Sequence, residues 1–105
     1  MSGKMELIGT LGSLSDTLAK RNDPSFPVDL QALWFGAQWR ISTIANRTGD
    51  LMALPRKDPR YAPIIAELHG ATVALVNAKS NAKREAALTS AGNACGMVED
   101  LLDDN

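Results

Sequence analysis

A chain of 105 residues, 45% hydrophobic and 22% charged with a net charge of −1, is long enough for one hydrophobic core and too short for two, and this composition excludes the low-hydrophobicity, high-charge class that stays disordered. Its apolar runs are a few residues long, far below the roughly 20 that span a bilayer, and its first residues, with Glu6 among Gly, Ser and Thr, show no apolar core of a secretory signal. The single cysteine, Cys95, excludes an internal disulfide and argues against a cysteine-based zinc site, so the expectation is a cytoplasmic protein with no membrane association.

From Leu7 onward, Leu7, Leu11, Leu14 and Leu18 recur at spacings of four, three and four, the signature of one helical face. Gly9 and Gly12 each weaken such a helix by on the order of 1 kcal/mol relative to alanine, which predicts a short helix that depends on packing. The stretch KRNDPSFP, residues 20–27, then reads as a loop, with two prolines and the turn formers Asn, Asp and Ser.

The strongest pattern in the chain follows. Leu30, Trp34, Ala37, Ile41, Ile44, Thr48 and Leu51 keep an unbroken four-three spacing, which predicts a second helix from about Val28 to Leu54, with Gly49 and Asp50 weakening its last turn. Pro55 ends it, and Asp58 followed by Pro59 reads as the N-cap and first residue of a third helix. That helix carries Tyr61, Ile64, Ile65, Leu68, Thr72 and Leu75 on its apolar face. The next regular series, Leu88, Ala91, Cys95, Val98 and Leu102, is out of phase, because thirteen residues rotate a helix by about 220°. A turn is therefore expected at 77–81, capped by Ser80 or Asn81, with one continuous helix as the alternative. The fold expected is a single all-α domain over 1–105: a small antiparallel bundle of three to four helices, a long second helix at its centre, and an acidic end at 99–105.

The second helix is apolar on two sides. With Leu30 at zero and 100° per residue, Trp34, Ala37, Ile41 and Ile44 fall within about 40°, whereas Phe35 and Trp39 fall near 140° and 180°. Ala32, Gly36 and Thr43 flank those two rings as small residues over which another backbone comes close. One reading buries Phe35 and Trp39 against the first helix or the SFPV loop. The other makes Ala32, Phe35, Gly36, Trp39 and Thr43 a protein interface, since aromatic anchors dominate interface hot spots.

Catalytic chemistry is sparse. His69 and Cys95 fall on different helices and read as structural, and Glu67 with His69 lacks the Glu-x-x-His spacing of bundle metal sites. No phosphate-loop, dinucleotide or hydrolase-elbow motif occurs. Neither a metal nor a cofactor is expected. Glu99, Asp100, Asp103 and Asp104 form an acidic contact surface or a solvated end. All eleven Lys and Arg lie at or before Arg84, and Arg40, Arg47, Arg56, Lys57 and Arg60 are the candidates for binding an anion. A pI near 5.7 disfavours nucleic acid. The expectation is a non-enzymatic interaction protein, an adaptor, regulator or inhibitor such as phages and mobile elements use. It binds a larger protein and self-associates as a homodimer or higher homo-oligomer through its aromatic face. The alternative is an anion, nucleotide or nucleic-acid binder.

Overall fold

The four leucines of the first repeat direct the first helix. In the computed structural model, which describes residues 3–104, α1 runs Lys4–Arg21 and buries Leu7, Leu11, Leu14 and Leu18 together. It is longer than its two glycines suggest, because burying a leucine gains about 1.5–3 kcal/mol and outweighs each glycine. Its start is also held from outside: the Lys4 amide donates to the Arg56 carbonyl at 3.0 Å, and Gly3 pairs with Lys57.

The helix expected over 28–54 is two helices. α2 spans Val28–Ala45, the chain bends at Asn46 and Arg47, and a six-residue α3 spans Thr48–Ala53. The Thr48 hydroxyl donates to the Ala45 carbonyl across the bend at 3.0 Å. Leu51 and Leu54 turn into the core, while Thr48, counted in the apolar stripe, is exposed.

α4, Tyr61–Asn77, begins three residues after Asp58. That aspartate does not cap the helix; its carboxylate takes the Arg60 amide in a turn of its own at 2.8 Å, and the Tyr61 amide reaches back to the Asp58 carbonyl at 3.0 Å. Pro63 lies in the first turn, where a missing amide costs nothing. The turn expected at 77–81 is present. α5 runs Asn81–Asp103 and is capped by Ser80, whose side chain accepts from the Lys83 amide at 3.2 Å.

The four long helices form a ring in the order α1, α2, α5, α4, and the diagonal pairs do not pack closely. The two hairpins, α1–α2 and α4–α5, are antiparallel. Between hairpins the neighbours run parallel: Gly3 before α1 meets Lys57 before α4, and Arg40 and Arg47 of α2 meet Glu99 and Asp103 in the same order along α5. The expectation of an all-antiparallel bundle is thus corrected. Because α2 and α4 sit at opposite corners, the segment 46–60 has to cross the end of the bundle, and α3 closes the core there.

Among the described residues, buried side chains are apolar apart from three groups with a polar atom: Trp34, Tyr61 and Cys95. Two of these have partners. Trp34 Nε1 donates to the Leu18 carbonyl at 2.8 Å, and the Tyr61 hydroxyl donates to the Pro55 carbonyl. The α4–α5 seam is built from small residues, with Ala71, Ala87, Ala91 and Ala94 all buried. Phe26, from the loop after α1, packs on Trp34 with ring centroids 5.4 Å apart, and the Arg84 guanidinium lies 4.9 Å above the Phe26 ring, closing the other end.

The long central second helix is not observed. α5, with 23 residues, is the longest element, and α2 holds one corner of the ring. A corner helix buries one face only, which decides the fate of the second apolar side.

Candidate functional site

That side faces solvent. At 100° per residue, Val28, Ala32, Phe35, Gly36, Trp39 and Thr43 all lie within about 50° of a single direction, and each of them is exposed. Val28 is 84% exposed, Phe35 57% and Trp39 77%, whereas Trp34, on the opposite side of the same turn, is 1% exposed. The reading in which Phe35 and Trp39 cover α1 or the SFPV loop therefore does not hold: it is Trp34 that meets the loop, through Phe26.

The outer face carries no charge. α2 has two charged residues, Asp29 and Arg40, and both lie on the flank turned toward α5, about 70° and 90° from the centre of the face. Around the rings, the Thr43 hydroxyl is turned back onto the Trp39 carbonyl at 2.9 Å, so the one hydroxyl beside Trp39 on this side is satisfied within the helix. Scattered exposed apolar residues are ordinary; an aligned pair of aromatics with no charge between them is not.

The basic and acidic candidates come together. Arg40 Nε donates to Glu99 at 2.6 Å and its Nη1 to the Gly92 carbonyl at 2.9 Å. Arg40 lies along Gly92 and Gly96, and a Cβ at Gly96 would stand 3.3 Å from the guanidinium, so the two glycines of α5 make the channel for the arginine. Arg47 bridges Asp50 at 2.8 Å and Asp103 at 2.9 Å. These two hydrogen bonds, Asp50 first, raise its pKa above the ordinary arginine value. Arg60 grips Asp58 at 2.9 Å and reaches Asp104 at 3.4 Å; its bond to Asp58 raises its pKa in the same way.

Three of the five anion candidates thus hold three of the four acidic candidates. Asp100 is exposed on α5, and Arg56 and Lys57 present exposed side chains from the link before α4, where their backbones serve the start of α1. Arg40, Arg47 and Arg60 are thus each drawn to a different carboxylate of α5 or its C-cap.

His69 is exposed on α4, and Cys95 is shut in the core. Burial pushes the Cys95 thiol up, an effect partly opposed by the nearby Arg40 charge. The thiol and the imidazole therefore do not make a catalytic pair. Among the described residues, no group of three or more His, Cys, Asp or Glu side chains is placed to hold a metal ion, and no helix is long and apolar enough to cross a membrane.

Between α1, α2 and α3 lies a groove of about 510 Å³, lined by Ile8, Leu11, Gly12, Ile44, Thr48 and Met52 among others. Gly12 on its wall has open space where a side chain would stand, as do four other glycines of the chain, so no residue type marks the groove in the sequence. Helical periodicity assigns faces but not the gap between two helices.

The chain matches no protein-family model, no curated protein and no solved structure.

Proposed function

We propose that this chain is a non-enzymatic protein-interaction module, an adaptor, regulator or inhibitor, whose contact surface is the outer face of α2. The observation that carries this reading is Trp39, 77% exposed on an uncharged face while Trp34 supplies the core. An exposed tryptophan costs solubility and gains nothing for the fold, whereas at an interface it is the residue type most enriched among hot spots. What supports this over anion binding is that Arg40, Arg47 and Arg60 already have carboxylate partners.

The test uses the wild type, Trp39→Asp and Arg56→Glu, each immobilised after its circular dichroism shows a folded helical protein, with mass spectrometry of what each retains, further copies of the chain included. The expected result is a protein held by the wild type and Arg56→Glu and lost from Trp39→Asp. Equal retention by all three overturns the α2 face as the contact surface, and loss from Arg56→Glu alone moves the contact to the basic link.

A further inference from the structure

We infer that the outer face of α2 docks on the same face of a second copy of this chain, antiparallel, about a two-fold axis passing between Phe35 and Gly36. The inference rests on the reading of that face as a contact surface and names its occupant.

The argument starts from sizes along the face. A two-fold axis between residues 35 and 36 brings residue i of one copy level with residue 71 − i of the other. Phe35 then lies beside Gly36 of the second copy, Trp39 beside Ala32, and Val28 beside Thr43. The two central levels each pair an aromatic ring with a small residue, twice over by symmetry, which is the condition for two helices to approach without voids or overlap, and the outer level pairs Val28 with a threonine of like size. A parallel pair would set Trp39 level with Trp39 and Gly36 level with Gly36, crowding one level and emptying the other.

Charge points to the same arrangement. The flank of α2 carries Asp29 and Arg40 and no other charge. In the antiparallel pair, Asp29 of one copy lies on the same side as Arg40 of the other and two residues away in level, about 3 Å at 1.5 Å per residue. In the parallel pair they stand eleven residues apart, about 16 Å. Arg40 keeps its Glu99 and Gly92 partners and still has part of its guanidinium in solvent, with its side chain 44% exposed. The antiparallel pair also opposes the two helix dipoles. Within α2 no like charges come level with each other, and a net charge of −1 per chain adds little repulsion.

The area suffices. An aromatic side chain buries about 150–250 Å², so Phe35 and Trp39, at 57% and 77% exposure, bring on the order of 250 Å² per copy. Specific interfaces begin near 500 Å² per partner. Val28, Ala32, Gly36 and Thr43 lie on the same face to supply the rest.

The experiment combines mass with cross-linking. Sedimentation equilibrium of the wild type over a wide concentration range is expected to show a monomer–dimer equilibrium, with the dissociation constant raised about thirtyfold or more in Trp39→Ala. Variants with one added cysteine then read the register under mild oxidation, with the wild type as control because its Cys95 is buried. Gly36→Cys, next to the axis, is expected to form a disulfide dimer. Val28→Cys and Thr43→Cys are expected to stay unlinked alone, since each lies about 22 Å in level from its own counterpart at 1.5 Å per residue, and to link when mixed. A wild type that stays monomeric overturns the dimer while leaving the contact-surface reading to its own test. A dimer indifferent to Trp39→Ala overturns the α2 face as the dimer contact and likewise leaves the contact-surface reading to its own test. A dimer in which Val28→Cys and Thr43→Cys each link to themselves overturns the antiparallel register.

Discussion

Trp34 and Trp39 sit five residues apart on one helix and meet opposite surroundings. Trp34 is closed in by α1 and the loop, with its indole N–H on the Leu18 carbonyl and Phe26 against its ring. Trp39 is in solvent. The same residue type therefore serves the fold on one side of α2 and lies outside it on the other, and the difference follows from the place of α2 at a corner of the ring. A corner helix needs one apolar stripe, and a second stripe is surplus to the core.

The sharpest way to break this comparison is to remove each ring in turn. Trp34→Ala is expected to cost about 3–5 kcal/mol, through lost burial, the cavity left behind and the stranded partners. That is a large share of the roughly 5–15 kcal/mol that holds a domain of this size. It is checked by urea denaturation, with loss of cooperativity as the visible sign; a cost below about 1 kcal/mol would mean that Trp34 does not anchor the core.

The flank between the two faces comes next. Arg40→Ala removes the bonds to Glu99 and to the Gly92 carbonyl, and the expected loss is about 1 kcal/mol because the pair is partly exposed. Part of the wild-type advantage should vanish at about 1 M salt, where the screening length falls to about 3 Å. A salt-independent difference would assign the role of Arg40 to its packing along Gly92 and Gly96.

Much of this was legible in the sequence, for reasons that are local. The leucine stripe of α1, the start of α2, the Ser80 cap and the break before α5 all rest on spacing and short-range chemistry, and the wheel that separates Phe35 and Trp39 from Trp34 needs only 100° per residue. The bend at Asn46 and Arg47 was not legible. Thr48 and Leu51 continue the stripe in phase, and neither bend residue is a glycine or proline. What turns the chain is tertiary: Arg47 is pulled onto Asp103, and the chain has to cross to the far corner. The pairs Arg40–Glu99, Arg47–Asp103 and Arg60–Asp104 join residues 59, 56 and 44 positions apart, so no window of sequence shows them. Read apart, the arginines suggested an anion site and the acids a contact surface; read together, they tie the end of α5 to the bend and to the link.

The link itself has a pH signature. The Asp58 carboxyl is held below its usual value of 3.8, first by the Arg60 side chain and then by the Arg60 amide. Below its ordinary pKa the unfolded chain takes up a proton that the folded protein still refuses. The stabilisation is therefore complete above about pH 4 and is lost as pH falls through the lower folded value. Melting temperatures of the wild type and Asp58→Asn are expected to differ near neutrality and to converge in acid. A constant gap down to about pH 2 would separate Asp58 from the acid response.

The smallest expected effect carries the most meaning. Trp39→Ala should change the unfolding free energy by less than about 0.5 kcal/mol when measured at concentrations where the protein is monomeric, as for a residue most of whose surface is in solvent. Its fluorescence contribution should be that of a water-exposed indole, lost on substitution while the buried Trp34 signal stays. The near-zero result has force only beside the large cost at Trp34, since together they would show that the fold needs the ring at 34 and not the one at 39. If Trp39→Ala instead destabilises the monomer by 2 kcal/mol or more, at about the level of a buried side chain, then α2 has no bare face and the division between its two sides disappears.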